Sequence, residues 1–189
     1  MERVHQLLFI VCLLALCWLA MMAVHELGHV VWSLLTGGTV ERVVLHPLAI
    51  SRTDVSPNPH PSIVVWLGPL IGCLLPLIVA LSIPSRAATA RNVALFFSGF
   101  CLITNGAYIG FGSLEGVGDA GVMLRTGSSI WLLLAFGGAA IGLGLFTWHR
   151  MGSPREFLSD PTIVTKGTAY AMLLALIVLV VVEWILSPR

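Results

Sequence analysis

Five stretches of this chain contain no Asp, Glu, Lys or Arg: residues 4–25, 55–85, 92–114, 126–149 and 167–182. Four of them reach the roughly 20 residues that an apolar helix needs to cross a bilayer. The fifth is extended by Glu183 at its edge and by Trp184, Ile185 and Leu186 beyond it. The spacing predicts an all-α, polytopic membrane helical bundle with five spanning helices at roughly 7–35, 62–83, 92–112, 128–149 and 166–186.

Composition supports that class. Charged residues make up 10% of the chain, against about 25% in an ordinary soluble domain. The hydrophobic share is 57% and the mean hydropathy +0.95. A disordered chain, a collagen, a nucleic-acid binder and most soluble enzymes are excluded. Ten Lys+Arg against nine Asp+Glu leave a net charge of +1, which suggests no polyanionic partner. Cys12, Cys17, Cys73 and Cys101 lie inside apolar runs and read as small buried hydrophobes. The first apolar stretch continues past Val24 to Leu35 with no A-x-A site, so a spanning helix is expected there rather than a cleaved signal peptide.

The connections are short. Residues 36–61 form the longest polar link, with β-formers between Val40 and Ile50 and prolines at 57, 59 and 61. A short β-hairpin between helices 1 and 2 is expected there, limited to an edge by Pro47. Residues 113–127 are Gly-rich and carry Glu115 and Asp119, and 150–165 reads as a polar loop. No link holds a separate soluble domain, so residues 1–189 are expected to form one integral-membrane domain. Gly68-xxx-Gly72, Gly106-xxx-Gly110 and Gly138-xxx-Gly142 fit close helix packing.

One motif carries chemistry. His25-Glu26-Leu27-Gly28-His29 is H-E-x-x-H. On a helix, positions i and i+4 lie one turn apart on one face, so two imidazoles can share a metal ion. The Glu beside the first His then lies where it can serve as general base of a zinc hydrolase. With six His and six Glu in 189 residues, chance gives the pattern in roughly 0.6% of such chains. Three ionisable groups inside a spanning helix are also costly, which marks them as functional.

Catalytic zinc commonly takes three protein ligands, so one is missing. The acidic candidates are Glu41, Asp54, Glu115, Asp119, Glu156, Asp160 and Glu183. Helix 1 carries the histidines toward its exit side, helix 2 returns, and helix 3 delivers Glu115 and Asp119 to that same side. Glu156 and Asp160 fall on the other. Asp119 could also be the N-cap of a short helix. His5, His46, His60 and His149 read as non-ligands, and Glu183 as an interfacial residue near a helix end.

These residues resemble the site-2 protease family of intramembrane zinc metallopeptidases, in particular its compact members without a PDZ domain. HELGH at 25–29 is similar to the family's first motif. Trp66-Leu67-Gly68-Pro69-Leu70 resembles its Gly-Pro segment. Ile103-Thr104-Asn105, with Gly118-Asp119-Ala120, resembles its Asn…Asp-Gly segment. The likeness spans about 15–125. The chain departs from the pattern in having Ala120 after Asp119 and no Pro within 105–119.

The resemblance implies one Zn²⁺ per chain on His25, His29 and Asp119, with Glu26 moving the proton. It implies a metallopeptidase core at about 7–127, with 128–189 as additional helices. The substrate would be a membrane protein cut in or near its transmembrane segment, in the plasma (cell inner) membrane. Asn105 becomes a candidate for positioning the substrate or an oxyanion, and segment 40–52 a candidate edge for an extended substrate. The alternative is a non-catalytic zinc-binding membrane protein or inactive homologue, against which Glu26 argues. Orientation has two readings. Six basic residues (Arg3, Arg86, Arg91, Arg150, Arg155, Lys166) face four (Arg42, Arg52, Arg125, Arg189), which favours a cytoplasmic N-terminus. The resemblance implies the reverse, with the zinc site toward the cytosol.

Overall fold

The computed structural model describes residues 3–152 and 154–187. Met1, Glu2, Ser153, Pro188 and Arg189, the last a charge in the topology count, lie outside the described residues. Seven helices and one hairpin follow in order: α1 (Arg3–Leu35), β1 (Val40–Val44), β2 (Arg52–Val55), α2 (Pro61–Ser82), α3 (Ala88–Glu115), α4 (Gly118–Arg125), α5 (Ile130–Arg150), α6 (Pro154–Ser159) and α7 (Lys166–Leu186). Of these, α1, α2, α3, α5 and α7 are long and apolar enough to cross a membrane. The all-α bundle, the five spans and the hairpin agree with the sequence reading. The helices α1 and α3 begin about four residues earlier than expected, and α3 also runs on to Glu115.

Local chemistry sets the ends. Pro61 opens α2, where a missing N–H costs nothing. The Ser129 hydroxyl accepts the Trp131 N–H at the start of α5. Thr165 and Thr168 form a capping box at the start of α7. Residues 150–165 are not all loop: α6 forms there and buries Phe157 at 5% exposure.

The helices pack in the order α7–α1–α2–α3–α5. Chain direction alternates, so the ends of α1 and α3, the starts of α2 and α5 and the end of α7 share one end of the bundle. At the opposite end the core is aromatic. Phe96 stacks on Phe157 and on Trp148, each with ring centroids 5.1 Å apart, and Phe9 is fully buried beside them. At the shared end, Ala120 and Met123 of α4 pack against Val65, Ile109 and Leu133. The α3–α5 contact is close at Gly106 and Gly137, where an added Cβ on Gly106 would meet the Gly137 carbonyl at 2.8 Å. A Cβ added at Gly138 or Gly142 would meet nothing within 4 Å, so among the described residues the third Gly-xxx-Gly pair packs no helix.

The hairpin is antiparallel, with Val43 opposite Thr53 and Val44 opposite Arg52. Pro47 lies in the turn between its strands. The hairpin base is tied by Thr39 N–H to the Pro57 carbonyl (3.1 Å) and Ser56 N–H to the Thr39 carbonyl (2.9 Å). Its far end reaches α7: Leu45 N–H donates to Ser187 Oγ (2.9 Å), and the His46 and Trp184 rings lie 4.6 Å apart.

Glu183 departs from the interfacial expectation. It is 2% exposed, and its carboxylate has no hydrogen-bond partner among the described residues. Leu179 and Val180, one turn earlier, pack with Leu19, Met21 and Met22 of α1, and Glu183 follows them on the same face.

Candidate active site

Helical spacing puts His25 and His29 on one face of α1, with ring centroids 4.9 Å apart. Both are buried, as is Glu26 at 4% exposure. Their face is turned toward α2, and the contact is tight because of two glycines. An added Cβ on Gly28 would meet Gly68 Cα at 2.9 Å, and one on Gly68 would run into the His29 ring. The Gly-Pro segment of α2 thus makes room for an imidazole. Pro69 has no N–H for the Val65 carbonyl one turn back. The neighbouring Val64 carbonyl accepts His29 Nδ1–H at 2.9 Å.

Asp119 arrives from α4. The chain leaves α3 through Gly116 at φ 68° and enters α4 through Gly118 at φ 55°. Gly118 cannot be replaced without strain, because a Cβ there would also strike the Tyr108 hydroxyl. Two left-handed glycines therefore make the return turn without the prolines of the resembled pattern. Asp119 N–H donates to Tyr108 Oη at 3.1 Å. Asp119 Oδ2 lies 2.8 Å from His25 Nε2 and 3.1 Å from His29 Nε2, and the two Nε2 atoms are 3.1 Å apart. Glu115, the acidic residue at the end of α3, is exposed. Glu41 and Asp54 line the adjoining cavity without joining the three donor atoms.

The outer hydrogen bonds fix the histidine tautomers. Asn105 Nδ2 donates to the Cys101 carbonyl at 2.9 Å, which leaves its Oδ1 to accept His25 Nδ1–H at 2.7 Å. His29 Nδ1 faces a carbonyl, which only accepts. Both neutral rings therefore turn Nε2 lone pairs toward one another and toward a carboxylate oxygen. Something positive has to sit between them. A proton on either Nε2 serves. Burial works against the charge on Asp119, but hydrogen bonds from His25 and His29 outweigh it and hold the carboxyl well below the usual carboxylate range.

A divalent cation fits the same place. Bonds of about 2.0–2.2 Å at tetrahedral angles set donor atoms roughly 3.3–3.6 Å apart. The observed 2.8–3.1 Å separations need an opening of about 0.2–0.8 Å, within reach of small rotamer adjustments. Among the described residues, His25, His29 and Asp119 form the group that can share one metal ion.

A cavity of about 530 Å³ opens beside these atoms, lined by Glu26, His29, Tyr108, Asp119 and strand β2. Glu26 Oε2 accepts a hydrogen bond from Thr53 Oγ1 at 2.7 Å. Asn105 stands elsewhere. It is 1% exposed, packs against Gly72, and engages His25 and the Cys101 carbonyl. Its side chain faces His25 and is not among the residues that line the cavity. The sequence reading did not single out Tyr108 or Thr53. Tyr108 was legible three residues after Asn105, on the same helical face. Thr53 was not, because nothing local says which face of a short strand turns toward a helix.

No curated protein and no solved structure matches the chain. A family model, Peptidase M50B-like, matches residues 4–110. That span holds H-E-x-x-H, the Gly-Pro helix that shelters His29, and Asn105 behind His25, while Asp119 lies nine residues past its end. With more than half of its length matched, and with the H-E-x-x-H and Gly-Pro segments inside that span, the chain belongs to the Peptidase M50B-like family.

Proposed function

We propose that this protein is a zinc-dependent intramembrane endopeptidase that hydrolyses a peptide bond in or near a transmembrane segment of a membrane-protein substrate. The observation that carries the reading is the meeting of three potential metal-ligand atoms from two distant parts of the chain, beside a buried glutamate in an open cavity. Five helices long and apolar enough to span a membrane, with the site built among them, support that substrate class. The plasma (cell inner) membrane is the proposed location.

His25, His29 and Asp119 would hold the zinc, one ion per chain. When bound, zinc supplies Lewis-acid polarisation of the scissile carbonyl and lowers the pKa of a water. Glu26 takes the proton of the attacking water on its carboxylate and delivers it to the leaving amine. Asn105 and the Val64 carbonyl hold the two imidazoles by their Nδ1–H groups, so that each Nε2 keeps its lone pair for the metal. The cavity admits a backbone stretch only after the substrate helix unwinds, since helical carbonyls are otherwise engaged in i→i−4 bonds.

The test pairs metal analysis with turnover on the purified protein. One zinc per chain, lost in His25→Ala and retained in Glu26→Gln with turnover abolished, is the expected pattern. Zinc bound without any Glu26-dependent cleavage across a panel of single-span substrates would instead establish a metal-binding membrane protein.

A further inference from the structure

The buried carboxylate of Glu26 sits in α1, but its hydrogen-bond donor comes from outside the helical bundle. Thr53 Oγ1 on β2 reaches Glu26 Oε2 at 2.7 Å, across 27 residues of sequence. Strand alternation produces this contact. Arg52 and Asp54 pair with one another at 3.3 Å with both side chains well exposed, whereas Thr53, between them, faces α1. The strand is not free to drift. It is paired with β1, and the hairpin is tied at its base through Thr39 and, from Leu45 and His46 just past β1, to Ser187 and Trp184 at the end of α7.

We propose that Thr53 is the positioning residue of the general base, so that the hairpin belongs to the catalytic apparatus and is more than a roof over it. This rests on the peptidase reading above. A glutamate has three rotatable bonds, and a base works only when its oxygen is held within about 0.5 Å of the proton it takes. The Thr53 hydroxyl has one proton to donate, and it occupies Oε2. That fixes the plane of the carboxylate and leaves Oε1 as the oxygen that accepts the proton. A second consequence follows for substrate. Strand β2 lines the cavity, so a peptide lying along it touches the element that aims the base.

The experiment uses the full chain in phospholipid vesicles. It compares Thr53→Val, which keeps the shape and removes the hydroxyl, with Thr53→Ser, which keeps the hydroxyl. Two readouts run in parallel: cleavage of quenched-fluorescent single-span peptides, and equilibrium binding of a peptidyl hydroxamate, a metal chelator whose acidic proton needs an acceptor beside the metal. Thr53→Val is expected to lower kcat and weaken hydroxamate binding at least tenfold, with KM within about threefold and zinc content unchanged. Thr53→Ser is expected to recover most of both losses.

Wild-type kcat and wild-type hydroxamate affinity in Thr53→Val overturn the proposal. Equal losses in the Val and Ser variants overturn it too, because the hydroxyl would then not be the active feature. If the wild type binds zinc and hydroxamate but cleaves no peptide, the peptidase reading fails while the hydroxamate comparison still decides the role of Thr53. A wild type that binds neither overturns both.

Discussion

The two ends of the bundle are built from opposite materials. At one end, Phe157, Phe96 and Trp148 stack, with Phe9 packed beside them, into an aromatic plug whose polar handle, the Trp148 indole N–H, donates to the Phe96 carbonyl at 3.0 Å. At the other, glycines bring backbones together so that buried His25, Glu26, His29 and Asn105 fit between helices. Phe9 and His25 lie on one helix, about 24 Å apart at 1.5 Å per residue. The first end spends its buried volume on contact area. The second gives up volume to hold ionisable groups that would otherwise be costly among apolar helices. Substitutions should therefore separate the ends: loss of folding at one, loss of chemistry at the other.

The largest separation is expected from Glu26→Gln against Phe96→Ala. The first should lower turnover about 10²–10⁴-fold with zinc and thermal stability retained. The second should cost about 3–5 kcal/mol of stability, while the molecules that remain folded keep their kcat. A Phe96→Ala protein that stays folded but loses turnover would break the contrast. Asp119→Asn comes next. Asn replaces an anionic oxygen ligand with a neutral one, and zinc affinity should fall by more than the roughly 10–100-fold that loss of an outer partner brings. Zinc titration against a chelator measures it, and a normal affinity there with a weakened one in Glu115→Gln would move the ligand to Glu115.

Asn105→Ala and Gly68→Ala sharpen the comparison from behind the metal ligands. The first frees the His25 tautomer, and the second drives a methyl group into the His29 ring. Each should weaken zinc binding about 10–100-fold while sparing the aromatic end. Acidity is the mildest probe. Zinc and a proton compete for the same Nε2 lone pairs, so zinc occupancy should fall as pH drops below the ordinary imidazole range near ~6.5. Asp119 stays anionic through that window, because its carboxyl is held low by the two histidines. The carboxylate therefore does not set the acid limit. Activity that persists after the zinc has left at low pH would refute the metal mechanism.

Much of this contrast was legible in the sequence, for identifiable reasons. Charge-free runs gave the five spans because lipid imposes a length. Helical spacing gave the histidine pair, alternation of the first three spans brought both Glu115 and Asp119 back to it, and the family resemblance pointed to Asp119. The site's lining was not legible. The interhelical closeness that lets His29 lie over Gly68 depends on the α1–α2 approach. The partner of Asn105 depends on how α3 is rotated. The burial of Glu183 depends on how α7 leans on α1. No local period encodes any of these.

The eight-residue helix that carries Asp119 also sets an order of events during synthesis. The ribosome makes His25, Glu26 and His29 early, and at about 5–20 residues per second the missing ligand follows roughly 5–20 s later. Until α3 has crossed and α4 has docked through Ala120 and Met123, the growing chain holds a base and two imidazoles but no closed metal cradle. On the proposed reading, peptide-bond hydrolysis becomes available only once the third span is in place and α4 has docked.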